Sequence, residues 1–101
     1  MKRLENKVSI ITGAAQGIGL STALKFAQEG AIVIVCDVRQ AGVDDAVAQC
    51  QALGAQATGY VMDVTQRATV DAVVASVKEK FGRIDVLVNN AGITQDARLQ
   101  K

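Results

Sequence analysis

A parallel α/β sheet with helices on both faces is the fold class this sequence predicts, and three observations predict it. Short runs rich in Val and Ile alternate with longer stretches at helical spacing, and glycines stand at the switches between them. The apolar runs are also continuous rather than alternating, as expected of strands buried under helices on both faces. Half of the 101 residues are hydrophobic but only 3% are aromatic, so the core must be built mainly from Ala, Val, Ile and Leu.

Taken in order, four runs read as strands: Val8 to Thr12, Ala31 to Cys36, Ala57 to Met62, and Asp85 to Asn89. Three amphipathic segments separate them. The first, Ile18 to Glu29, aligns Leu20, Ala23, Leu24 and Ala27; the second, Ala41 to Leu53, aligns Val43, Ala46, Val47 and Cys50. The third aligns Val70, Val73, Val74, Val77 and Phe81, with Thr65 as a candidate N-cap ahead of it. Gly30, Gly54 and Gly82 follow the three segments, where a left-handed residue ends a helix without a Cβ clash.

Right-handed crossovers then predict the strand order 3-2-1-4, with no domain boundary within residues 1–101. The chain reverses direction between strands 1 and 4, which opens a crevice at their carboxyl ends. The loops after Thr12 and Asn89 should face each other across it.

Composition narrows the partners. Eleven basic and ten acidic residues are scattered along the chain, which argues against a nucleic-acid or membrane-surface partner. The charged start, Met1 to Lys7, lacks the apolar stretch of a signal peptide, and no run approaches the ~20 apolar residues of a membrane span, so a cytoplasmic protein is expected. Cys36 and Cys50 have no metal-ligand spacing and no histidine to join them, and read as buried reduced thiols. Without histidine, Ser9, Ser21 and Ser76 cannot belong to a serine-hydrolase triad.

The residues that suggest chemistry lie at the crevice. Strand 1 runs into Thr12-Gly13-Ala14-Ala15-Gln16-Gly17-Ile18-Gly19 and then directly into a helix. In such a loop Gly13 permits the tight turn, Gly17 lets the backbone approach a pyrophosphate, and Gly19 lets helix and strand pack closely, while the helix N-terminus faces the phosphate. Asp37 ends strand 2, eighteen positions beyond Gly19, where a carboxylate can accept hydrogen bonds from ribose hydroxyls and repel a 2′-phosphate. A solvated loop residue would also suit that place. Arg39, two residues on, is either a surface charge or a guanidinium able to pair with a 2′-phosphate. Asp63 reads either as a ligand contact or as a cap near Thr65, and Asn89 either as a structural tie or as a ligand contact.

Together, Thr12 to Gly19, Asp63-Val64 and Asn89-Asn90-Ala91-Gly92 resemble the short-chain dehydrogenase/reductase family over nearly the whole chain. The resemblance implies the first half of a Rossmann-type, NAD(P)-binding domain. It places Asp63 and Val64 at the adenine, Asn90, Ala91 and Gly92 along the cofactor, and Asn89 between neighbouring strands. The implied cofactor contacts are thus Gly13, Ala15, Gln16, Gly17, Ile18 and Gly19 in the loop, with Asp37, Val38, Asp63, Val64, Asn90, Ala91 and Gly92 around it. The tail from Gly92 to Lys101 resembles the 3-oxoacyl-[acyl-carrier-protein] reductase branch of the family, which implies a 3-oxoacyl thioester substrate, usually reduced with NADPH. Against that branch, Gln16 stands where NADP-preferring members often carry a basic residue, and Asp37 is acidic, so NAD is expected and NADP stays open.

The family's catalytic Ser, Tyr and Lys are expected in its second half. The one tyrosine here, Tyr60, is followed four positions later by Val64 rather than Lys, so no catalytic residue is assigned. Strand 4 should also be an unpaired edge, which predicts self-association through it and a homo-oligomeric partner.

Overall fold

A computed structural model describes residues 3–90. The elements follow in the order β1 (Val8–Thr12), α1 (Gly17–Gln28), β2 (Ile32–Asp37), α2 (Gln40–Ala52), β3 (Ala57–Val61), α3 (Arg67–Phe81) and β4 (Val86–Asn89). The four strands form one parallel sheet in the order β3-β2-β1-β4, as expected from right-handed crossovers.

The period of two along each strand divides the core into two layers. Ile11, Val33, Val35 and Ala57 face Ala23 and Ala27 of α1 and Val43, Ala46 and Cys50 of α2. Val8, Ile10, Ile34 and Cys36 point the other way, onto Val73 and Val77 of α3. Both faces of the central strands are therefore covered, and Val8 through Thr12 are all buried, which explains the continuous apolar runs. On β4 the cover is thinner. Val86 and Val88 are half-buried, while Leu87, on the α3 side, is 63% exposed. Among the described residues β4 pairs with β1 alone.

Several sequence expectations need correction at the element ends. α1 and α2 each begin and end one residue earlier than expected, and β2 is displaced one residue later. Thr65 does not cap α3. The residue before that helix is Gln66, with no side-chain cap bond, and the Thr65 hydroxyl donates to Asp63 Oδ1 at 2.6 Å instead. An Asp two residues ahead captures a threonine's N–H and hydroxyl within a local turn more readily than a helix beginning at Arg67 can claim it.

Strand β4 begins at Val86 rather than Asp85 because the Asp85 side chain takes over the pairing with β1. Its Oδ2 accepts the Val8 N–H at 2.8 Å, while the Asp85 N–H donates to the Val8 carbonyl at 2.8 Å. Arg83 braces the same corner: its Nε donates to Asp85 Oδ2 at 2.9 Å and its Nη2 to the Asn6 carbonyl at 2.9 Å. The Val8 N–H, aided by Arg83, holds the Asp85 carboxyl below its ordinary range. A carboxylate with a depressed folded-state pKa contributes stability above its unfolded value, and that contribution is lost as pH falls through the folded value. The thermal midpoint should therefore fall on acidification below about pH 4, and an Asp85→Asn variant should show a lower midpoint at pH 7 with a shallower acid limb, as followed by circular dichroism.

The three helices of the described residues are each followed by a left-handed glycine, Gly30, Gly54 and Gly82, with φ of 89°, 89° and 84°. At Gly82 an added Cβ would meet nothing within 4 Å, so Gly82→Ala isolates the backbone cost. The expected destabilisation is about 1 kcal/mol, measured by urea unfolding.

Candidate functional site

Where β1 and β4 part, the carboxyl end of the sheet opens into a cleft of about 680 Å³, within the range of small-molecule sites. Its floor is the turn from β1 into α1. Gly13 and Gly17 adopt φ of 62° and 60°, a region most side chains avoid, and this conformation aims α1 at the cleft. Gly19 is needed for a different reason. A Cβ there would drive into the Gly13 carbonyl and lie 3.1 Å from Ala14 Cα, so only glycine lets the first turn of α1 sit against the loop.

The walls come from the next two strand ends. Asp37 and Val38 leave β2 on one side, and Met62, Asp63, Val64 and Thr65 leave β3 on the other. Two apolar side chains stand in solvent at the mouth: Ile18 is 73% exposed and Val38 57%. Such isolated exposed aliphatics supply flat contact surface for a ligand ring.

The loop after β1 is joined to the end of β2 and the residues just beyond it by three hydrogen bonds. The Ala14 N–H donates to the Cys36 carbonyl at 3.1 Å, and the Ala15 N–H to Asp37 Oδ2 at 2.9 Å. Further out, Arg39 Nη2 donates to Gln16 Oε1 at 3.1 Å. The second oxygen of Asp37 accepts the Val38 N–H at 2.7 Å. Asp37 is thus held in one orientation by backbone at both oxygens, with lone-pair capacity to spare for a further donor.

On the far side, Thr12 and Asn89 sit opposite each other in the parallel register, and the Thr12 hydroxyl donates to Asn89 Oδ1 at 2.8 Å. The carboxyl ends of β1 and β4 lie side by side, as the topology requires, with Asn89 as the tie, and the loop beyond Asn90 lies outside the described residues. Asn90 lines the cleft itself, and its side-chain Nδ2 is buried without a partner among the described residues. An orphaned buried donor is costly and points to a missing acceptor.

Of the sequence-derived contacts, Gly13, Gln16, Gly17, Ile18, Gly19, Asp37, Val38, Asp63, Val64 and Asn90 all border this one cleft. Ala15 does not line it and acts through its N–H on Asp37. Ala91 and Gly92 lie outside the described residues. Met62 and Thr65 also line the cleft, although Met62 is not among the expected contacts and Thr65 is expected only as a helix cap; their places beside Asp63 are the available signal. Asp63 is both wall and turn. Its Oδ1 accepts from the Thr65 hydroxyl and the Thr65 N–H, in that order the causes that keep its carboxyl below the usual range, and the group is charged at neutral pH.

The thiols take no part in this geometry. Burial, with the Asp37 charge beside it, pushes the Cys36 thiol up to about 12, and burial also raises that of Cys50, which donates to the Ala23 carbonyl at 3.8 Å. Both should be silent toward a thiol reagent at pH 8 in the native state and react fully once denatured, which a disulfide-exchange assay reads directly. Among the described residues no cluster of three or more metal-ligating side chains occurs, and no helix is long and apolar enough to cross a membrane.

Comparison with known proteins gives the family and the fold. The family model described as short chain dehydrogenase matches residues 7–101. A curated relative, the 3-oxoacyl-[acyl-carrier-protein] reductase FabG of Thermotoga maritima, is 54% identical over 96% of this chain. Among solved structures, an NAD+-bound xylitol dehydrogenase superposes over 90% of the chain with a TM-score of 0.86 and 42% identity. The F189W variant of actinorhodin polyketide ketoreductase with NADPH superposes over 91% with a TM-score of 0.82 and 38% identity. The chain spans 39% of the length of the curated relative and 35% of each of these two structures.

Proposed function

Because this chain belongs to the short-chain dehydrogenase family, we propose that it is the portion that binds the nicotinamide dinucleotide, with NAD preferred. The observation that carries this reading is the single cleft on which ten sequence-derived contacts converge, with the orphaned Asn90 amide among them.

The residues present fit such a ligand. The exposed N–H groups at the start of α1 suit a pyrophosphate, since that helix carries no acidic residue in its first turn to compete for them. Asp37, fixed by two backbone bonds, offers its remaining lone pairs to ribose hydroxyls, and its charge opposes a 2′-phosphate. Val38 and Ile18 provide apolar contact for the adenosine, and Asp63 and Val64 close the opposite wall at the adenine. Asn90 supplies a donor through its side-chain Nδ2. A bound nicotinamide dinucleotide would give or accept the hydride; this portion positions it. The proton transfer would fall to residues other than those that line this cleft.

The whole protein would then move a hydride between the nicotinamide and a carbonyl or secondary alcohol. The 54% identity to a 3-oxoacyl-[acyl-carrier-protein] reductase supports a 3-oxoacyl thioester as the substrate and a place in fatty acid synthesis. Calorimetric titration of the chain with NADH and with NADPH tests the cofactor reading. NADH should bind more tightly, and Asp37→Ala should narrow the difference; equal wild-type affinities would remove the role given to Asp37.

A second reading, self-association, is favoured by one observation. Leu87 stands exposed beside a small apolar groove between β4 and α3, on the strand that ends the sheet among the described residues. Taken alone, the 101 residues should associate through β4 as concentration rises, and Leu87→Lys should shift the sedimentation profile toward monomer. A wild-type chain that stays monomeric at every concentration would end this reading.

A further inference from the structure

We infer that Gly42, in the first turn of α2, is a positioning residue for the dinucleotide: its missing side chain lets Ala15 lie where its N–H aims Asp37 at the adenosine ribose. The inference rests on the reading of the cleft as the dinucleotide site. It traces the aim of the ribose carboxylate to a helix that does not itself line that cleft.

The contact between helix and turn is tight. Gly42 is the third residue of α2, and glycine is a poor helix former, so its presence there calls for a close neighbour. Ala15 is that neighbour. A Cβ at position 42 would lie 2.8 Å from Ala15 Cβ, more than half an ångström inside ordinary van der Waals contact, which begins at 3.4 Å. The Ala15 methyl is fixed to the backbone of the glycine turn and cannot rotate aside. The same residue donates its N–H to Asp37 Oδ2 at 2.9 Å, so Ala15 carries both the contact with α2 and the bond that orients the carboxylate.

The packing decides which side yields when position 42 gains a side chain. α2 is held, because Val43, Ala46 and Cys50 are buried against the sheet and Val43 Cγ1 fills the space above Gly59 of β3. The turn has room: Ala15 is only partly buried, and the loop borders the open cleft at Gln16 and Gly17. A displacement of half an ångström or more stretches the Ala15–Asp37 bond past the usual limit of about 3.2 Å. Asp37 then keeps the Val38 N–H alone and is free to turn. A carboxylate that must first be ordered is a weaker acceptor for a ribose hydroxyl.

Titration of the chain with 5′-ADP and with 2′-deoxy-5′-ADP reads the ribose contact separately from the rest of the adenosine end. The wild type should favour 5′-ADP about tenfold, as one hydrogen bond to a charged group implies. Gly42→Ala should reduce that preference to about threefold or less while leaving the affinity for 2′-deoxy-5′-ADP within about twofold. Exchanging the pair, Ala15→Gly together with Gly42→Ala, removes the overlap and should return the preference to its wild-type value. An unchanged preference in Gly42→Ala, equal losses for both nucleotides, no recovery in the exchanged pair, or a Gly42→Ala chain that no longer folds would each overturn the positioning role and leave the dinucleotide reading intact. A wild type that binds both nucleotides equally would overturn it too, by removing the role of Asp37. A wild type that binds neither would overturn the dinucleotide reading itself, and the positioning role with it.

Discussion

Gly19→Ala should be the most damaging single-atom change in the nucleotide loop. The added methyl would overlap the Gly13 carbonyl and crowd Ala14 Cα at 3.1 Å, and all of these are backbone atoms that cannot rotate aside. The turn must therefore open or the start of α1 must lift. Overpacking against backbone sits at the upper end of the usual range, about 3 kcal/mol, which in a domain of this size lowers the thermal midpoint by roughly 15 °C. Dinucleotide affinity should fall beyond what stability explains, because the N–H groups at the helix start move with the turn. Gly17→Ala is the control. Its Cβ would meet nothing within 4 Å, so it pays only the strain of φ 60°, about 1 kcal/mol, and the fold should persist.

Gly59→Ala should be the most damaging comparable change away from the cleft. Gly59 sits in the middle of β3 on the α2 side, and a Cβ there would collide with Val43 Cγ1 and lie 2.9 Å from Val47 Cγ2. Both neighbours are β-branched and stiff at χ1, so α2 must move off the sheet, at a cost of about 1–3 kcal/mol. If the collision is the cause, Val43→Ala should offset part of it. A double-mutant cycle by urea unfolding should give a favourable coupling of about 1 kcal/mol or more; additive losses would show that Gly59 matters for another reason.

These two glycines mark how far the sequence could be read. Gly19 was legible because it belongs to a spaced set between a strand and a helix, and the close approach it permits is the physical reason for the spacing. Gly59 was not, since a lone glycine in a Val- and Tyr-containing run carries no sign of which helix lies above it. The same division holds elsewhere. The strand order and the two-layer core follow from period and chirality, which are local and general.

Details that depend on one side chain meeting another across distance in sequence were not readable. Asp85 taking the Val8 N–H spans 77 positions, and Arg39 reaching Gln16 spans 23. Thr65 failed as a cap for the opposite reason: the competing partner, Asp63, was two residues away and chemically better placed. Within the site, residue types were legible and their division of labour was not. Ala15 and Asp37 were both expected as ligand contacts, yet one of them serves to orient the other.

The central claim is that the carboxyl end of this sheet, and no other part of the surface, receives a nicotinamide dinucleotide. Amide chemical shifts of the labelled chain, followed as NAD is added, test it most directly. The account predicts the largest perturbations at Gly13 to Gly19, at Asp37 and Val38, at Asp63 and Val64, and at Asn90, with Asn6, Gly30 and Gly54 at the opposite end of the sheet unmoved. Perturbations centred on that opposite end, or none at saturating NAD, would contradict it.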